Sequence, residues 1–96
     1  MLIYKILLPD EWAAFEAAGT FDGSPLDHES GFVHCSSREQ LGATAQRFFA
    51  GAGEVVVVAL DTDVLGGTVR WETFPHVYGP LTAEAIVDIH RLEVGR

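Results

Sequence analysis

The sequence predicts an α+β fold, a twisted mixed β-sheet with two covering helices, and three observations lead there. Two segments, "PDEWAAFEAAG" (9–19) and "SSREQLGATAQRFFAGAG" (36–53), repeat apolar residues at helical spacing. Around them lie short runs rich in Ile, Val, Leu and Phe, the composition of strands. One of these, "EVVVVAL" (54–60), is apolar without interruption, as a strand covered on both faces must be. With 96 residues, 48% of them hydrophobic, the chain suits a single domain over residues 1–96 that builds a core without staples.

Taken in order, "LIYKILL" (2–8) reads as the first strand. Pro9 and Asp10 then open a helix, since proline suits its first turn and acids suit its positive end. Trp12, Phe15 and Ala18 give that helix its apolar face, and Gly19 stops it. "TFDGSPLDHES" (20–30) is turn-rich and polar, and reads as a long connection that either covers a site or simply crosses the surface. "GFVHCS" (31–36) is the second strand. It runs into a helix with two overlapping capping boxes, Ser36-x-x-Glu39 and Ser37-x-x-Gln40. Leu41, Ala45, Phe48 and Phe49 share that helix's apolar face, and Gly51 or Gly53 ends it. After the central strand, "DTDVLGG" (61–67) reads as a turn with a short helical piece, "TVRWETF" (68–74) as a strand and "PHVYGPL" (75–81) as a loop between prolines. The last segment, "AEAIVDIHRLEV" (83–94), fits a strand by its Ile and Val content, or a helix capped by Thr82.

Charge and composition exclude several functions. Fourteen acids against 6 Lys and Arg give a net charge of −8, which repels phosphate backbones and argues against nucleic acid as a partner. No stretch approaches the roughly 20 apolar residues of a membrane helix, so no membrane partner is expected. The N-terminal apolar run is too short for a signal segment and is interrupted by Lys5, which points to a cytoplasmic protein. A single cysteine, Cys35, excludes an internal disulfide. The four histidines show no metal-ligand spacing, so no metal site is expected.

Two stretches hold the residues that could carry chemistry. In "GFVHCSS", strand alternation puts Phe32, His34 and Ser36 on one face and Val33 and Cys35 on the other. Valine would pack better than an imidazole in a strand, so His34 is a candidate site residue. Ser36 and Ser37 stand just before a helix N-terminus, where the N–H groups from about Arg38 to Gln40 could bind an anion, or the serines could only cap. In "RWETFPHVYGPL" (70–81), Arg70, Trp71, Glu72, His76 and Tyr78 crowd together between restricted backbone positions. His76 and Tyr78 suit a planar ligand, Arg70 suits an anion, and Glu72 could act as a general acid or base. Trp71 is expected in the core, with Arg70 and Glu72 as a solvated ion pair. Cys35 is expected to be a buried structural thiol.

"GFVHCSSREQLGATAQRFF" followed by "VRWETFPHVYGPL" resembles the small bacterial family called domain of unknown function 952, over nearly the whole chain. That family is grouped with the ADP-ribosyltransferase-like superfamily, whose enzymes split NAD at the nicotinamide–ribose bond. The resemblance implies an ADP-ribosyltransferase-like fold and a pocket for NAD, ADP-ribose or another small anionic nucleotide. It places Lys5 where the superfamily's first motif has His or Arg, and His34, Ser36 and Ser37 at the second motif. Glu72 is its nearest candidate for the glutamate that grips ribose.

Two functions from different classes follow as expectations. The first is a small-molecule site between the second strand and residues 70–81, lined by His34, Ser36, His76 and Tyr78. Lys5 or Arg70 would counter phosphate there, and His34 or Glu72 would act in glycosyl transfer or hydrolysis. The second is a non-catalytic interaction module in which the His/Tyr cluster is structural. A third, hydrolysis through Cys35, conflicts with strand alternation.

Overall fold

The computed structural model describes residues 1–96. Its elements are β1 (Leu2–Leu7), α1 (Pro9–Ala18), β2 (Thr20–Phe21), α2 (Pro25–Ser30), β3 (Val33–His34), α3 (Leu41–Phe49) and β4 (Gly53–Asp61), followed by α4 (Thr62–Leu65), β5 (Val69–Glu72), β6 (Phe74–Val77), β7 (Leu81–Thr82) and β8 (Ile86–Val94). Short 3-10 turns cover Gly66–Thr68 and Ala83–Ala85. The α+β class is as expected. The single mixed sheet is not: the strands form three sheets, β1-β4-β8, β2-β7 and β3-β6-β5, and every ladder is antiparallel.

β4 organises the core. Its alternate residues Val56, Val58 and Leu60 pack with Trp12 and Phe15 of α1, while Val55 and Val57 pack with Ala45 of α3. The two expected helices therefore cover opposite faces of one sheet, and each fully buried valine contributes roughly 1.5–3 kcal/mol. α1 starts where Glu11 Oε1 accepts from the Leu8 N–H at 2.9 Å, and stops where Gly19 takes φ +78°. The ambiguous last segment is a strand: β8 pairs with β4 from Gly53↔Val94 to Leu60↔Ile86. No helix is long and apolar enough to cross a membrane.

Several expectations need correction. Residues 20–30 are not one long loop; they contain β2 and α2, and α2 is closed by a capping box between Ser24 and Asp27. "PHVYGPL" is a loop only at residues 78–80, since Pro75, His76 and Val77 belong to β6 and Leu81 to β7. Pro75 sits inside β6, its carbonyl accepting from the Cys35 N–H at 3.1 Å, and His76 and Val77 pair with His34 and Val33. A proline has no N–H to return, so the β3–β6 ladder ends there. β3 is consequently shorter than "GFVHCS", and the chain crosses to the other sheet, where Ser36 and Tyr4 exchange two backbone bonds of 2.8 Å. "TVRWETF" ends early because the chain reverses at Thr73, which holds φ +70°. Trp71 lies on β5 at 47% exposure and is not a core residue.

Candidate functional site

The crossing of β3 between two sheets opens the site. Strand alternation works as expected: Val33 and Cys35 enter the core, while His34 and Ser36 turn to a cavity of about 400 Å³ bounded by β1, α2, β3, α3 and β6. Burial pushes the Cys35 thiol up to about 12, against a lowering by Lys5, so the thiolate is scarce at neutral pH.

The cavity wall holds a charged network that the sequence reveals only in part. Lys5 is buried on β1, and its Nζ donates to Asp27 Oδ2 and to the His34 carbonyl, both at 2.9 Å. Asp27, on α2, is the residue not anticipated. Its side chain is 2% exposed, and it accepts from the Ser24 N–H at 2.8 Å, from the His34 N–H at 3.0 Å and from His34 Nδ1 at 2.6 Å. Burial by itself would raise this carboxyl. The Lys5 charge and the Ser24 and His34 hydrogen bonds outweigh it and bring the group down from 3.8 to about 2. The signal for Asp27 was present as "GSPLD": serine, proline at the first helical position, and an acid three residues after the serine.

Because Asp27 is ionised and can only accept, His34 Nδ1 must carry the proton in that contact. In the neutral imidazole this leaves Nε2 free to accept a proton. An imidazole oriented by a buried carboxylate is the arrangement of a general acid/base. The ring is further held by aromatic neighbours: Phe32 lies 4.5 Å from His34 and stacks at 3.9 Å on His76, and the two imidazoles are 6.2 Å apart.

The structure brings together four of the eight site residues expected from sequence. Lys5, His34, Ser36 and His76 line the cavity. Ser36 does not cap the helix; its Oγ donates to Thr44 Oγ1 at 3.1 Å. Nor does Ser37 cap α3, which begins only at Leu41: Ser37 closes the turn before it in a reciprocal exchange with Gln40, Ser37 N–H to Gln40 Oε1 at 3.0 Å and Gln40 N–H to Ser37 Oγ at 3.2 Å. That exchange occupies the Gln40 N–H, and Ser37 lies outside the cavity lining. Arg70, Glu72 and Tyr78 form a separate outer group. Tyr78 donates to Glu72 Oε2 at 3.0 Å, and the Arg70 guanidinium lies 5.9 Å from the Tyr78 ring. The expected Arg70–Glu72 pair is thus replaced by two contacts to Tyr78. His76 joins the groups, since its buried Nδ1 has no hydrogen-bond partner and stands 3.5 Å from Glu72. No group of three or more His, Cys, Asp or Glu side chains converges to hold a metal ion.

Residues 6–89 match the family model described as protein of unknown function (DUF952). The chain belongs to this family. Protein CC0527 from Caulobacter crescentus has a similar crystal structure, at 39% identity and a TM-score of 0.91, covering 96% of this chain and 86% of that one. A double mutant of CC0527 gives the same score and coverage at 38% identity. The solution structure of CC0527 scores 0.85 at 39% identity, covering 96% of this chain and 84% of that one. No curated protein matches the chain.

Proposed function

We propose that this DUF952 protein binds a small anionic, nucleotide-like ligand in the cavity beside β3, and that His34, oriented by Asp27, serves there as general acid/base. The observation that carries the reading is the 2.6 Å Asp27–His34 contact at the wall of a cavity of about 400 Å³. That volume lies in the lower part of the range for small-molecule sites, roughly 300–1,000 Å³. Under the ADP-ribosyltransferase-like reading, NAD and ADP-ribose are the first ligands to test. The proton-accepting role then falls to His34 Nε2, because Glu72 stands outside the lining and meets the cavity only through His76. Titration of the labelled protein with NAD and ADP-ribose at millimolar concentration should move the amide signals around residues 34 and 76. Unmoved signals there would remove this ligand class.

A second reading, as an interaction module, draws on the outer group. Trp71 and Tyr78 are 47% and 45% exposed beside Arg70, a combination enriched at protein interfaces. Under that reading the His/Tyr cluster braces the surface, and no small ligand is needed.

A further inference from the structure

The cavity differs in charge from the molecule that contains it. The protein carries a net charge of −8, yet the lining holds two cations, Lys5 and Arg47, against one carboxylate, Asp27. Lys5 is committed to that carboxylate and to the His34 carbonyl. Arg47 takes part in none of the molecule's salt bridges, and its guanidinium rests 5.4 Å from the Phe48 ring. Its position follows from helical spacing, because Ala43, Thr44, Arg47 and Phe48 present one side of α3 to the cavity.

One part of the wall is apolar, with Leu26, Phe48, Phe49 and Phe74 contributing from α2, α3 and β6. Three of these stay well exposed: Leu26 at 47%, Phe48 at 58% and Phe74 at 40%. Large apolar side chains left in water around one cavity are the mark of a binding surface for an apolar body.

We infer that the cavity takes an amphipathic monoanion, with a planar apolar ring among Phe48, Phe49 and Phe74 and its single anionic group at Arg47. This rests on the small-ligand reading above and narrows it. NAD and ADP-ribose each carry two phosphates, but Lys5 is paired with Asp27 and Arg70 lies against Tyr78. One unpaired cation matches one anionic group, and the lining offers no second free cation to another anion.

Three probes test it by amide shifts and dissociation constants: 2-naphthoate, its neutral analogue 2-naphthamide, and NAD. Naphthoate is expected to shift residues of α3 and β6 and to bind up to about five-fold more tightly than the amide, the scale of one exposed charge pair. Arg47→Gln should abolish that preference, whereas Arg91→Gln, remote and paired with Glu54, should leave it intact. Equal binding of naphthoate and naphthamide, or a preference that survives Arg47→Gln, overturns the inference. NAD shifting residues 34 and 76 while naphthoate shifts none overturns it too, and leaves the nucleotide reading standing. If none of the three moves any lining residue, both fall together.

Discussion

Replacing Asp27 by asparagine should separate the network from the rest of the fold. The native carboxylate, held at about 2 against an ordinary 3.8, stabilises the folded state by about 2 kcal/mol above pH 4. The sign follows from the depressed value. The unfolded chain takes up this proton first, so the contribution is complete above about pH 3.8 and is lost as pH falls through about 2. In Asp27→Asn the amide still accepts one backbone N–H, but Lys5, 6% exposed, loses its counter-charge. Breaking a buried pair in this way costs about 3–5 kcal/mol. Urea unfolding of both proteins between pH 7 and pH 2 measures the difference, and subtraction cancels the acids they share. The gap should be widest at neutral pH and narrow by about 2 kcal/mol toward pH 2. Adding Lys5→Met to Asp27→Asn, which removes the stranded charge while the amide still serves a backbone N–H, should recover part of the loss. A gap constant from pH 7 to pH 2, or strictly additive effects of the two replacements, would refute the assignment of Asp27 as Lys5's partner.

Two further outcomes follow from local structure. Cys35 should resist a mild thiol reagent at pH 8 in the folded protein, because a thiol at about 12 holds roughly a thousandth of the thiolate of one at 9; labelling as fast as in denaturant would place it outside the core. Thr73→Gly should raise the thermal midpoint by a few degrees, since a β-branched residue at φ +70° stores on the order of 1 kcal/mol more strain than glycine, and an unchanged or lower midpoint would contradict that strain.

How far the sequence could be read depended on whether each signal was local. The strands β1 and β4, the helices α1 and α3, and the two faces of "GFVHCS" were legible because periodicity alone decides which side chains are buried. Periodicity does not decide which strand pairs with which. By local signals Pro75 opens a loop, whereas in the structure it ends a ladder from inside a strand. Hydrophobicity alone puts Trp71 in the core, yet β5 is an edge strand of a three-stranded sheet and leaves it in water. The role of Asp27 is hidden for a related reason. Its helix is only six residues long and sits in a polar stretch, and its two long-range partners, Lys5 and His34, are fixed by tertiary packing.

That network also returns to the choice of histidine at position 34. Asp27 collects donors from Ser24, from Lys5 and from the backbone N–H of His34, and Lys5 takes its second bond from the His34 carbonyl. Every one of these bonds is open to any residue but proline at position 34. The fold therefore asks for the backbone of this residue and leaves its imidazole undetermined. What the imidazole adds is a fourth contact to Asp27 and a second nitrogen beside the cavity. A residue needed only for packing would be aliphatic, as Val33 is one position earlier and its ladder partner Val77 is too. His34→Gln should accordingly fold with little loss, and the effect of the change should appear at the cavity.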